Sequence, residues 1–243
     1  PVPAGSVSQE IRHGSVETTE YRLENGMRIF VKSTELREDE ILFSGYSPGG
    51  LNAVADSDVP AAQITSAVAR ESGIADLDAS LLERALSGTS IELNTRLGRA
   101  SERLSGSTRA EDVETFVRIV RLIFTQPRFD QNALNNVRQQ SVQSYRGRSG
   151  SPQGRFGLRF EELFASDDPR LRSPRPEELE SVRLDDVERV YRDRFDDPAD
   201  FALFFVGNVE PRHIRELAER YLASIPRPTD GESGESASIE GQT

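Results

Sequence analysis

The order of apolar and polar positions near the start of the chain predicts β-strands. Tyr21–Leu23 and Met27–Val31 flank Glu24-Asn25-Gly26, and Asn-Gly between two such runs is a strong signal for a hairpin. Ile41–Ser47 forms a third run, which stops at Pro48-Gly49-Gly50. The chain is therefore expected to open with three strands.

A helical spacing of apolar positions follows these strands. Asp58 is a predicted N-cap with Pro60 in the first turn, and Gly73 is the predicted end of this helix. A second helix is predicted around Asp78–Leu86, before Ser87-Gly88.

Two further strands are predicted near Ser90–Leu97 and Arg99–Gly106. The clearest helix of the chain comes next, because Thr108 and Glu111 match a capping box and Pro127 matches an end. Its continuous apolar stripe consists of Val113, Phe116, Val117, Val120, Ile123 and Phe124.

The last part of the chain predicts more helices and one strand. Asp130 is expected to cap a helix through Tyr145, Arg155–Phe164 to form another, and Asp185 to cap a third. The apolar run Phe201–Val206 predicts a buried strand before a final helix. This order predicts an α+β fold, with helices layered on one face of a mostly antiparallel sheet.

Polar segments border this predicted body. Residues 1–18 are predicted to be a linker, 19–226 a single α+β domain, and 227–243 a disordered linker to a following domain. The chain starts with Pro1 rather than methionine. We therefore expect a processed or excised fragment of a longer parent.

Composition excludes several classes of function. A formal net charge of −11 over 243 residues repels phosphate backbones, which argues against a nucleic-acid partner. Cysteine is absent, so disulfides and thiolate metal sites are impossible. No run approaches the ~20 apolar residues of a membrane span, and no signal peptide opens the chain. The acidic, arginine-rich composition fits a saline habitat and a GC-rich genome equally well.

Candidate chemistry is sparse. His13 lies in the predicted linker and His213 in the final helix, so the two histidines do not form a helical metal pair. Serine-elbow, phosphate-loop and EF-hand patterns lack their required spacing. A pair of carboxylates that meets only in space stays open. We predict no catalytic, cofactor-binding or metal-ligating residue in this chain.

Several segments, in their order and spacing, resemble the insulinase/pitrilysin family of zinc metallopeptidases. They run from about Tyr21 to Pro226, nearly all of the predicted domain. The resemblance implies a processing-peptidase-like α+β domain. The segments are Leu23–Val31, Phe124–Asp130, Leu184–Val187 with Tyr191 and Phe195, and Phe204–Val209.

Active members of this family carry His-x-x-Glu-His on the first helix and a further glutamate ligand downstream. The two histidines hold zinc, and the glutamate between them is the general base for the bound water. The resemblance places Gln63 and Ala67 at the histidine positions and Ser66 at the glutamate position. The downstream helix around Leu134–Gln140 has no carboxylate. Zinc is therefore expected in a partner catalytic half and not in this chain.

The resemblance also implies a role. Phe43–Gly50 resembles the opening of the non-catalytic half of bacterial members, so the chain is expected to be the first domain of that C-terminal half. It would help to enclose and bind peptide substrate with a zinc-bearing half of the same parent, and would be inactive alone. The alternative is a scaffold or assembly subunit of a parent that has lost peptidase activity.

Three further expectations accompany this role. The acidic balance favours basic or neutral peptides in such a chamber. Export of bacterial relatives favours the periplasm or cell envelope. Gly49 and Gly50 are candidates for a contact with substrate or with the other half, although a plain turn is the preferred interpretation.

Overall fold

A seven-stranded mixed sheet forms the centre of the computed structural model, which describes residues 4–35 and 39–228. Its strand order is β1-β2-β3-β7-β4-β6-β5; β3 and β7 are parallel, and the other neighbouring strands are antiparallel. The strands are β1 (Val7–His13), β2 (Thr18–Leu23), β3 (Arg28–Ser33), β4 (Ile41–Pro48), β5 (Glu92–Leu97), β6 (Ser101–Thr108) and β7 (Ala202–Gly207).

The predicted hairpin joins β2 and β3 and is tied to the C-terminal part of the domain. Gly26 adopts a positive φ of 88°, which the tight turn requires and glycine tolerates. The side-chain amide of Asn25 donates hydrogen bonds to the carbonyl oxygens of Leu222, at 2.8 Å, and Ile225, at 3.1 Å. The hairpin signal in the sequence is thus confirmed, and its asparagine also anchors a segment about 200 residues away.

Strand β1 lies within the segment predicted to be a linker, so that prediction is wrong for residues 7–13. This strand pairs antiparallel with β2 along one edge of the sheet. Only Val7, Ile11 and His13 are partly buried along it, and such a weak alternation gives little sequence signal. The other predicted domain boundaries stay predictions, and residues 1–3 and 229–243 lie outside the described part of the chain.

Eight α-helices occur in the described residues. They include all the predicted helices and one short additional helix, α6. The final helix, α8, continues into a π-helical turn, Ala218–Leu222. Within the part of the chain that is described, no helix is long and apolar enough to cross a bilayer. The helices are α1 (Val59–Ser72), α2 (Ala79–Leu86), α3 (Val113–Thr125), α4 (Gln131–Gly150), α5 (Pro152–Ala165), α6 (Pro176–Ser181), α7 (Leu184–Phe195) and α8 (Pro211–Leu217).

Two predicted helix caps are wrong, because one residue belongs to a strand and the other lies inside the helix that it was predicted to cap. Thr108 is the last residue of β6, and α3 begins only after a 3₁₀ turn, Ala110–Asp112. Asp185 lies inside the first turn of α7, where Asp186 instead accepts the backbone N–H of Arg183 at 3.1 Å. Strand pairing and a two-residue shift of the helix start therefore override the local capping signals.

The N-caps of α1, α2 and α4 divide into two kinds, and those of α1 and α4 were predicted. Asp78 accepts the N–H of Leu81 at 2.8 Å, as a capping side chain does. Asp130 caps α4 in the same way. Asp58 occupies the N-cap position of α1 without a capping bond, and its carboxylate instead pairs with Arg189 of α7 at 2.7 Å.

One face of the sheet packs against the helices and carries the core. Phe43 of β4 contacts Phe116 of α3 edge to face, with ring centroids 5.0 Å apart. Each fully buried aromatic side chain of this kind contributes roughly 1.5–3 kcal/mol through the hydrophobic effect. The predicted fold class is confirmed, since the opposite face of β4 is exposed at Leu42, Ser44 and Tyr46. The buried residues on the covered face are Ile29, Val31, Phe43, Leu104, Leu203 and Phe205.

Candidate functional site: the exposed sheet face

The α1 positions that match the family's zinc motif make structural contacts within the domain. The Gln63 side-chain amide donates to the carbonyl oxygens of Pro169, at 3.1 Å, and Arg172, at 2.9 Å. The Ser66 hydroxyl accepts the backbone N–H of Leu97 at 2.8 Å. Ala67 packs against the core. These side chains therefore tie α1 to the α5–α6 connection and to the end of β5.

The family resemblance predicts that helix α4 takes the place of the helix that carries the downstream glutamate ligand in active members. All twenty residues of α4 lack a carboxylate. Leu134 and Val137 of α4 are buried in the core, and Arg138 donates to the carbonyl oxygen of Val182. The α4 face directed into the domain thus serves packing.

These residues do not fit a zinc ion. Zinc in proteins is held by imidazole, thiolate or carboxylate groups, and neither Gln63, Ser66 nor Ala67 supplies one. Across residues 4–35 and 39–228, no three potential metal-ligating side chains cluster together. His13 pairs with Glu20 at 2.8 Å on the first two strands, whereas His213 is exposed on α8.

The turn at Gly49 and Gly50 is held by a buried ion pair. The Glu102 carboxylate has no exposed surface; its Oε1 accepts the N–H of Gly50 at 2.8 Å and Arg194 Nε at 2.7 Å. A Cβ on Gly50, whose φ is +62°, would lie 2.4 Å from the carbonyl oxygen of Gly98. A Cβ on Gly49, whose φ is +133°, would clash with the Arg194 guanidinium. Both positions therefore require glycine for structural reasons, which supports the interpretation as a turn.

The exposed face of the sheet carries an apolar and aromatic strip. Phe30 of β3 stacks on Phe204 of β7, with ring centroids 4.9 Å apart. On the neighbouring strand β4, Leu42 and Tyr46 are each more than two-fifths exposed. Side chains two residues apart on a strand share a face, so these four residues lie on one surface that no described helix covers.

A row of arginines crosses the same face. The registers align one residue from each of six neighbouring strands. With strands roughly 4.8 Å apart, the row extends over about 24 Å. All its members except Ala202 are exposed. In order across the sheet, the row consists of Arg22, Arg28, Ala202, Tyr46, Arg103 and Arg96.

This face is electropositive although the chain is acidic. Lys32 adds a fifth cation to the four arginines, and Glu20 and Glu92 are the opposing carboxylates on the aligned rows. Burial opposes ionisation of Glu20, but hydrogen bonds from Arg22 and His13 outweigh it and lower its pKa. Among the described residues, no carboxylate lies within ion-pair distance of Arg28, Arg96 or Arg103.

The arrangement is suited to binding rather than to covalent chemistry. Guanidinium groups form paired hydrogen bonds with carboxylates, and the aromatic strip accepts apolar side chains. Sequence reasoning missed this surface because β7 lies far along the chain from β3 and β4. The available signal was the alternation of Leu42, Ser44 and Tyr46 opposite the buried positions of β4.

Comparison with known proteins finds relatives among zinc proteases. No protein-family model matches the chain. A zinc protease PQQL-like protein of Arabidopsis thaliana is 29% identical over 229 residues, covering 94% of this chain and 21% of that protein. The probable zinc protease PqqL of Haemophilus influenzae is 23% identical over 233 residues, covering 93% of this chain and 24% of that protein. The chain thus spans less than a quarter of the length of these relatives.

Solved structures show the same fold. The periplasmic protease PqqL from Escherichia coli matches with a TM-score of 0.83 at 19% identity, covering 96% of this chain and 26% of that one. A peptidase M16 inactive domain from Pseudomonas fluorescens matches with a TM-score of 0.70 at 12% identity, covering 93% and 54%. The chain therefore resembles zinc proteases in sequence and shares its fold with domains of the insulinase/pitrilysin family, the family that its sequence resembled.

Proposed function

We propose that this chain is a non-catalytic domain of a zinc-dependent metallopeptidase, which helps to enclose and bind peptide substrate together with a separate zinc-bearing half. One observation carries the proposal. The fold resembles that of the family's domains, while the positions assigned to the zinc motif carry Gln63, Ser66 and Ala67. Gln63 and Ser66 make hydrogen bonds within the domain, and Ala67 packs against the core. Catalysis would depend on zinc in the partner half, and this chain would contribute binding surface.

The exposed sheet face is the proposed substrate-binding surface. Peptide segments would place apolar side chains on Phe30, Phe204 and Tyr46 and carboxylates beside Arg28 and Arg103. The charge close to a bound peptide governs its affinity more strongly than distant charge, because salt screens interactions beyond about 10 Å. The proposal therefore favours acidic segments, in contrast to the preference expected from the net charge alone.

The proposal includes an extracytoplasmic setting. The Escherichia coli protein with the same fold is a periplasmic protease, which supports a periplasmic or cell-envelope location for the parent of this chain. It also includes a multidomain parent, since the relatives are more than four times as long as the matched region.

The first experiment compares cleavage of a quenched peptide library by three samples with added zinc: this chain, the polypeptide encoded upstream of it, and their mixture. We expect cleavage only, or far faster, in the mixture. Cleavage by this chain alone would contradict the proposal. An absence of cleavage in all samples, with both pieces folded, would favour the scaffold alternative, as would a parent without His-x-x-Glu-His.

Charge reversal then tests the binding surface. Arg28→Glu with Arg103→Glu should weaken binding of an acidic fluorescent peptide about tenfold or more, because each exposed ion pair contributes up to about 1 kcal/mol. Arg212→Glu is the matched control, since Arg212 is an exposed arginine on α8, outside the aligned rows. Equal losses in both variants would refute a specific role for the sheet face.

A further inference from the structure

Helix α5 exposes the side chains that a helix normally buries. Phe156, Phe160, Leu163 and Phe164 are between 59% and 73% exposed, whereas only Leu158 and Ala165 of this helix are buried. Large aromatic side chains usually lie in cores and interfaces. The pattern along α5 is therefore that of an amphipathic helix whose apolar side has no partner within the described residues.

The exposed side chains form one continuous ridge. Phe156, Phe160 and Phe164 are four residues apart, and successive rings stack with centroids 6.5 and 6.2 Å apart. With a rise of 1.5 Å per residue, the ridge is about 12 Å long. Residues at these spacings are the anchors that one helix offers to another helix or to a groove.

The exposed apolar area of the ridge is large enough to form the centre of a protein–protein interface. A fully exposed aromatic side chain presents on the order of 200 Å², so the four exposed side chains present roughly 500 Å² of mainly apolar surface. This value is near the upper end for the largest apolar patch on a monomer. It also amounts to more than half of the ~800 Å² that each partner contributes to a standard interface.

The charged residues near the ridge indicate which charges a complementary partner would carry. Arg148 and Arg159 are paired with Glu161 and Glu162, at 2.8 and 3.1 Å. Two further arginines near the N-terminal end of α5, Arg146 and Arg155, have no carboxylate within ion-pair distance in the described part of the chain. A partner with carboxylates at this end of the ridge is complementary.

We propose that the apolar face of α5, formed by Phe156, Phe160, Leu163 and Phe164, is the docking surface for a helix from another domain of the same parent protein. That helix would be apolar along its contact face and acidic at the end that lies beside Arg146 and Arg155. The relatives supply the reason for an intramolecular partner, since this chain spans only 21% and 24% of their lengths. The inference does not depend on peptide binding by the sheet face.

Thiol labelling tests this proposal, because the chain contains no cysteine of its own. Phe160→Cys is introduced into the isolated chain and into the full-length parent, with any cysteine of the parent replaced by serine. Phe164→Cys provides a second reporter on the same ridge. Both residues are largely exposed, so each variant should fold, which circular dichroism checks. We expect maleimide to react at least tenfold more slowly in the parent than in the isolated chain.

Other binding partners on the apolar face of α5 would give different labelling results. Equal labelling rates in chain and parent would overturn the proposal. Protection that develops in the isolated chain as its concentration rises, together with dimers in analytical ultracentrifugation, would identify a second copy instead. Protection of the isolated chain by anionic lipid vesicles, without protection in the parent, would identify a membrane surface instead.

Discussion

The ion pair between Glu102 and Arg194 supports a prediction whose size follows from the structure. Glu102 is fully buried, and Arg194 Nε lies 2.7 Å from its Oε1. Its second oxygen, Oε2, has no hydrogen-bond partner. Arg194→Met would leave a buried carboxylate with only the N–H of Gly50 as a partner. Removing one member of such a pair costs about 3–5 kcal/mol of unfolding free energy.

This loss is large for a single domain, whose total stability is typically about 5–15 kcal/mol. Arg212→Met is the matched control, because Arg212 is 87% exposed and pairs with Glu216 at 3.5 Å on the surface of α8. It should lower the free energy of unfolding by less than about 1 kcal/mol. Adding Glu102→Gln to Arg194→Met should recover most of the loss, since the glutamine oxygen still accepts from Gly50 without a charge.

Urea unfolding followed by far-ultraviolet circular dichroism measures these values. The chain has no tryptophan, so tryptophan fluorescence is not an option. Linear extrapolation gives the free energy of unfolding for each variant, provided that the slopes agree. The reasoning is refuted if Arg194→Met and Arg212→Met destabilise the chain equally. It is also refuted if Glu102→Gln worsens the effect of Arg194→Met.

Two further predictions concern stability. Gly50→Ala should lower the free energy of unfolding by about 2 kcal/mol or more, because φ is positive and the new Cβ meets backbone. Gly147→Ala, inside α4 with open space around it, should raise this free energy by about 0.5–1 kcal/mol in the same urea assay; equal effects would contradict the backbone argument. Burial raises the pKa of Asp196 to about 6, and the nearby Glu188 adds to the effect. The unfolded chain releases this proton at lower pH, so the charged carboxylate destabilises the fold above about pH 6. Asp196→Asn should therefore increase stability by roughly 1–3 kcal/mol at pH 8 and lose this advantage progressively as the pH falls from about 6 to about 4, and a constant difference between pH 8 and pH 4 would contradict it.

The sequence by itself determined the elements whose signals are local. The Asn25-Gly26 turn, the apolar stripe of α3 and the Asp130 cap all form as predicted. These features depend on residues a few positions apart, so periodicity and turn chemistry suffice to identify them. The assignment of Gln63, Ser66 and Ala67 to the zinc-motif positions also came from the sequence, because a motif can be compared position by position, and it stays a prediction.

Only the tertiary structure shows which distant segments of the chain come into contact. The insertion of β7 between β3 and β4 stacks Phe204 on Phe30 and completes the arginine row, although β7 follows β4 by more than 150 residues. The fold also brings Arg194 of α7 to the buried Glu102 of β6 and places β1 at an edge of the sheet. Local propensity does not specify which strands become neighbours, because pairing depends on the free energy of the whole core. The same reason explains α5: its sequence predicts a helix, but only the fold shows that its aromatic side faces away from the domain.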